Sequence, residues 1–106
     1  MSIFKKKLTV NEAINAAHTS ANAMLIDCRS KDDFNHGHVP GAVNIPLDKI
    51  TGDRVLRRIP DQEKALYIIG SYQSKPEKAI KAFKKLGYKN VIFGGNMEEH
   101  YGILKK

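Results

Sequence analysis

Four short apolar runs, at residues 23–26, 42–45, 65–69 and 90–93, recur along the chain with amphipathic or polar stretches between them. The runs at 23–26 and 65–69 are unbroken apolar blocks, and those at 42–45 and 90–93 each carry one asparagine. A strand with one wet face alternates, whereas a strand covered on both faces reads as one apolar block. The chain is thereby constrained to a sheet held between helices. Strands that alternate with helices argue for an α/β domain with a parallel sheet.

The intervening stretches carry the helix signals. Thr9-Val10-Asn11-Glu12 is a capping box, and Val10, Ala13, Ile14 and Ala17 keep helical spacing, so a helix is predicted over 10–18. Ser30 to Asp33 repeats the capping pattern ahead of a short helix stopped by Gly37. Pro40-Gly41 marks a turn, and Pro46 closes the second run. Residues 48–58 are expected to be helical in part and to end at Pro60. Gly70 is expected to break the third strand. Ser74-Lys75-Pro76-Glu77 is expected to cap a long helix, with Ala79, Ile80, Ala82, Phe83 and Leu86 as its apolar face and Gly87 as its C-cap. After the last strand, Gly94-Gly95 leads into a short tail helix.

The 106 residues leave room for one domain, 1–106. Folding a chain this long hides roughly 65% of its unfolded surface, enough for a core without covalent staples. The single cysteine, Cys28, excludes an internal disulfide framework and a cysteine-rich zinc site. It suits a reducing cytosol, so a cytoplasmic protein is expected. The longest unbroken apolar run, 65–69, is far short of the ~20 residues of a membrane span. The opening MSIFKKK has no apolar stretch behind its charges, so no secretory signal is expected.

Lys and Arg number 18 against 11 Asp and Glu, a net charge of +7. The excess gathers at Lys5, Lys6 and Lys7, at Arg54, Arg57 and Arg58, along 75–89, and at Lys105 and Lys106. A solvated basic surface accounts for this, with anionic partners as the second reading. No basic ribbon interleaved with aromatics is present, which argues against nucleic-acid recognition.

Leu25-Ile26-Asp27-Cys28-Arg29, Asp33-Phe34 and Gly37-His38-Val39-Pro40-Gly41-Ala42-Val43-Asn44-Ile45-Pro46 closely resemble the rhodanese-like sulfurtransferase domain. Leu86-Gly87-Tyr88-Lys89-Asn90-Val91 and Gly94-Gly95 continue the likeness in order, so it covers nearly the whole chain. The resemblance implies a five-stranded parallel sheet with helices on both faces. It also implies an active-site loop between a strand and the following helix, where the family carries a nucleophilic cysteine in a loop commonly reading Cys-x-x-Gly-x-Arg-Ser. Sulfur is transferred there through a cysteine persulfide. A thiolate in that position is favoured by the helix dipole and by loop amides, which also cradle the anionic donor.

At this loop the chain departs from the family. The cysteine position falls on Gly70, and the loop reads Gly70-Ser71-Tyr72-Gln73-Ser74-Lys75-Pro76. No cysteine follows Cys28, so no shift of alignment restores the nucleophile. The tail around Met97, Glu98, Glu99, His100 and Tyr101 also lacks the family's usual tryptophan.

The remaining candidates are few. Cys28 takes the valine position of the strand motif, where a small core residue is the simpler role; as the alternative, Arg29 beside it could lower its pKa for catalysis. Ser71 and Ser74 are loop hydroxyls with no histidine near in sequence, so hydrolysis by a serine is not expected. Gly70, Ser71, Tyr72, Gln73, Ser74 and Lys75 form the active-site-loop equivalent and a candidate anion-binding segment, with Lys75 where the family has arginine. Asp27, Arg29 and Asp33 are expected to pair and anchor the loop. His36 and His38 supply too few ligands for a metal. Tyr72 either plugs the pocket or presents a contact surface.

The sequence is therefore read as a rhodanese-like domain that is catalytically inactive and acts as a binding or regulatory module, with an unidentified protein or a small anion as its partner. No cofactor, metal or membrane is expected. Two alternatives stand beside this: a sulfurtransferase using Cys28 or a partner's cysteine, and a small-oxyanion sensor built on the 70–75 loop.

Overall fold

In the computed structural model the first described helix opens on the capping box that the sequence announces. The structure describes residues 9–100, 102, 104 and 105; Lys5, Lys6, Lys7, Tyr101 and Lys106 lie outside the described residues. The Thr9 hydroxyl accepts from the Glu12 N–H at 3.1 Å, and the Glu12 carboxylate accepts from the Thr9 N–H at 2.9 Å. This starts α1, Val10–Thr19. In chain order there follow β1 (Ala23–Asp27), α2 (Lys31–His36), β2 (Val43–Asn44), a 3-10 turn (Leu47–Lys49), α3 (Gly52–Arg58), β3 (Ala65–Gly70), α4 (Pro76–Lys85), β4 (Asn90–Asn96) and a second 3-10 turn (Met97–Glu99).

The strands form one sheet in the order β2-β1-β3-β4, and every pairing is parallel. The resemblance implies five strands; the described residues hold four. The reason is visible in the sequence, because 9–100 contains four apolar runs and no fifth. Side chains alternate along each strand. Leu25 and Ile69 pack with Val10, Ala17 and Val39 on the α1 face. Ile26, Cys28, Leu66 and Ile68 pack with Val55, Ile59, Ala79, Phe83 and Tyr88 on the face covered by α3 and α4. Both faces are dry, as the unbroken apolar runs require. Phe83 and Tyr88 meet edge to face at 5.9 Å, and the Tyr88 hydroxyl donates to the Ile59 carbonyl.

Several boundaries differ from expectation. Gly70 does not break β3; it ends it, paired with Asn96. The second run keeps only Val43 and Asn44 as strand. Residues 48–58 split into the 3-10 turn and α3. The tail helix is the 3-10 turn Met97–Glu99. Helix α4 is C-capped by Leu86 rather than by Gly87, which follows at φ 100° as the left-handed residue beyond the cap.

Gly94 and Gly95 lie inside β4 rather than after it. Ile68 pairs with Phe93 and Ile69 with Gly95, so Gly94 is the extra residue of a bulge. Gly95 has φ 102°, and a Cβ there would stand 2.9 Å from Val10 Cβ and 3.1 Å from Val10 N. The first turn of α1 thus rests directly on the bulge. Gly95→Ala is expected to destabilise the fold by about 2 kcal/mol or more through strain and this contact, read as a lower midpoint in urea unfolding.

Candidate functional site

Ligands of an open parallel sheet bind beyond the carboxyl ends of its strands. Here those ends bring together residues 27–29 after β1, the 71–75 loop after β3, and the turn after β4. A shallow depression of about 320 Å³ lies among Arg29, Gly37, Ser71, Gln73, Met97 and Glu98.

Arg29 lines it and is held from beneath by the buried Asp27. The Asp27 side chain is 1% exposed and that of Arg29 10%. Arg29 Nε lies 3.0 and 3.1 Å from the Asp27 oxygens, and Nη2 lies 2.8 Å from Oδ2. Nη2 also donates to the Gly37 carbonyl at 2.8 Å, and the Arg29 N–H donates to Asp27 Oδ1 at 2.9 Å. The expected pair and loop anchor is therefore present. Asp33 takes no part in the pair; it is exposed, lines the depression, and its backbone N–H donates to the Ser30 hydroxyl at 3.1 Å.

The 70–75 loop is closed on itself. The Ser71 N–H donates to Ser74 Oγ at 2.7 Å, and the Ser74 N–H donates to Ser71 Oγ at 3.1 Å. The sequence pattern assigns Ser74 to the cap of α4. It caps the turn instead, and the residue before the helix is Lys75, left-handed at φ 52° with no side-chain cap. A non-glycine residue in that conformation costs about 1–2 kcal/mol. The Lys75 side chain is exposed.

The third loop amide is taken by a carboxylate from the tail. The Tyr72 N–H lies 3.1 and 3.2 Å from the two Glu98 oxygens, and the Tyr72 hydroxyl donates to Glu99 Oε2 at 3.2 Å. Glu98 thus supplies an internal carboxylate at an amide that could otherwise face an external anion. Pro76 has no N–H to add. Tyr72 is 63% exposed, so it does not plug the depression. Sequence reading did not place Glu98 and Glu99 here, because they lie 26 and 27 residues from Tyr72 and no local pattern links them.

Gly70 is glycine for want of space. A Cβ there would stand 2.8 Å from both Pro76 Cβ and Ser74 Oγ and 3.0 Å from Pro76 Cδ. Its backbone is not in the left-handed region, so packing alone imposes the choice.

Cys28 lies below the loop, 2% exposed, with its N–H donating to the Ile69 carbonyl at 2.9 Å. Burial pushes its thiol up to about 11, the Ser74 hydroxyl pulls the other way, and the Asp27 and Glu77 charges add to the rise. Arg29 does not rescue the thiolate, since its guanidinium is committed to Asp27. The histidines serve main-chain carbonyls: His18 meets Pro40 at 3.1 Å, His36 meets Asp32 at 2.7 Å and His38 meets Phe34 at 2.9 Å. Among the described residues no group of three or more His, Cys, Asp or Glu gathers as a metal site. No described helix is long and apolar enough to cross a membrane.

The family model described as "Rhodanese-like domain" matches residues 9–95. Thiosulfate sulfurtransferase PspE of Escherichia coli is 25% identical over 97 residues, 92% of this chain and 92% of that protein. "Adenylyltransferase and sulfurtransferase uba4" of Ogataea parapolymorpha is 29% identical over 87 residues, 80% of this chain. The chain spans only 22% of uba4 and 43% of a further curated relative, from Bacillus subtilis. Among solved structures, a rhodanese-like domain protein from Staphylococcus aureus shares the fold at TM-score 0.73 and 23% identity, over 95% of this chain and 97% of that one.

Two outcomes are expected. Asp27→Ala should cost about 3–5 kcal/mol in urea unfolding, because it leaves the Arg29 charge buried without a partner. Cys28 should react with Ellman's reagent at pH 8 far more slowly in the native protein than after unfolding in guanidinium. Its pKa is raised on folding, so the stability it contributes is full below about 9 and is lost as pH rises through about 11. The melting temperature of the wild type should fall relative to Cys28→Ala across that window.

Proposed function

We infer that this chain, which belongs to the rhodanese-like domain family, is a non-catalytic member: a binding or regulatory module on a sulfurtransferase scaffold. The observation that carries this reading is the packing at Gly70. The position that the resemblance assigns to the nucleophile has no room for a Cβ, because Ser74 and Pro76 fill the space. A persulfide also needs a thiolate within reach of its donor. Cys28, the alternative, is buried and its thiol is pushed up to about 11.

The loop face then serves contact rather than transfer. Tyr72 is held outward by Glu98 and Glu99, and exposed tyrosines are suited to anchor protein interfaces. The oxyanion-sensor reading has less behind it. The Ser71, Tyr72 and Ser74 amides already donate to side chains of the chain itself, and one of those acceptors is anionic. The proposal extends to one domain over 1–106, working in the cytoplasm where a lone thiol stays reduced.

The test is sulfur transfer from thiosulfate to cyanide. Wild type and Cys28→Ala should both stay at the uncatalysed rate. Gly70→Cys alone should not restore turnover, since the new side chain must displace Ser74 and Pro76. Wild-type activity that disappears with Cys28→Ala would refute the reading and make Cys28 the sulfur carrier.

A further inference from the structure

A second and roomier groove lies away from the loop. It has a volume of about 1010 Å³ and lies between α2, β2, the first 3-10 turn and α3. None of its lining residues belongs to the 70–75 loop, so the role of this groove is independent of any role of that loop.

Its rim is cationic. Lys31 of α2, Lys49 of the 3-10 turn, and Arg54, Arg57 and Arg58 of α3 line it, all exposed, against the single carboxylate of Asp53. The three arginines sit at i, i+3 and i+4, so α3 turns one face of charge to the groove while Val55 faces the core. Among the described residues the ion pairs are Arg29–Asp27 and Lys89–Glu63, and neither is in the groove. Five like charges are thus gathered with one opposite charge among them, an arrangement that repels itself until an anion arrives.

The floor is apolar, with Phe34, Val43 and Pro46 half-buried. It also contains the outer edge of β2, the end strand of the sheet, whose Asn44 carbonyl is within 3.5 Å of Arg58 Nη1. A phosphate or sulfate would use the rim and ignore the floor. Single-stranded nucleic acid needs aromatic faces for its bases, and Phe34, the lone aromatic of the lining, already stacks on His38 at 3.7 Å. A concave site with an apolar floor and a cationic rim fits an extended segment that alternates carboxylates with apolar side chains.

We propose that this groove docks an acidic peptide segment of a partner protein, with Arg54 and Arg57 pairing its carboxylates and the Phe34–Val43–Pro46 floor seating its apolar side chains. The probe is a fluorescein-labelled peptide of Glu-Asp-Leu repeats, followed by anisotropy on the full chain. Binding should weaken by about tenfold or more in Arg54→Glu/Arg57→Glu and when salt rises from about 50 mM to about 500 mM. Lys81→Glu/Lys84→Glu on α4 changes net charge by the same amount and should leave binding intact. Replacing leucine by serine in the peptide should weaken it. Because the substituted side chains are all exposed, circular dichroism should show both variants folded. No binding of the Glu-Asp-Leu peptide, equal loss in the two double variants, or equal binding of the serine peptide would overturn the proposal. Oligothymidylate binding as tightly as the peptide would also overturn it, in favour of nucleic acid.

Discussion

The buried pair of Asp27 and Arg29 ties the ends of the sheet together. Burying a carboxylate and a guanidinium is expensive unless both are paired and their remaining hydrogen bonds are met. Here Asp27 accepts from two guanidinium nitrogens and from the Arg29 amide, and Arg29 goes on to the Gly37 carbonyl. The backbone of the same three residues receives β2: Asn44 Nδ2 donates to the carbonyls of Asp27 and Arg29, and the Ile45 N–H donates to Asp27 O. One short segment thus sets where β1 ends, how α2 turns back and where the edge strand docks. The candidate depression and the basic groove both border that junction, one through Arg29 and the other through Asn44.

With that base fixed, the loop above it has been filled from within. A sulfur-transfer loop presents free amides and a thiolate to an anionic donor. In this chain Ser71 and Ser74 consume two of those amides, Glu98 takes a third, and the space above Gly70 holds Ser74 and Pro76. The only thiol sits beneath, in the layer shared with Phe83 and Ile68, where burial keeps it protonated. The arrangement meets the hydrogen bonds of the loop from within the chain.

Most of the fold was legible because it rests on local rules. The capping box at Thr9 and Glu12 and the Ser30 cap are decided within a few residues and stand in the structure, while Gly87 lies one residue beyond the C-cap, Leu86. Sequence and structure part where a competing contact, near or far along the chain, overrides the expected signal. Ser74 reads as a helix cap, yet its hydroxyl bonds Ser71 across the turn. Gly94 and Gly95 read as a strand end, yet they form a bulge because the first turn of α1 presses on Gly95.

For the site, the sequence alone determined which side chains exist: one cysteine, no nucleophilic thiol after it, glycine at position 70 and basic residues spaced along one face of α3. Such a list shows that no thiol stands at position 70 or after it, since folding cannot supply a side chain that the sequence lacks. What the groups do to one another was decided only by tertiary structure. Whether Glu98 meets Tyr72, whether Cys28 is wet or dry, and whether Lys31 joins the arginines of α3 depend on elements brought together from distant parts of the chain. Electrostatics, burial and hydrogen bonding act over a few ångströms of space and carry no memory of separation along the chain.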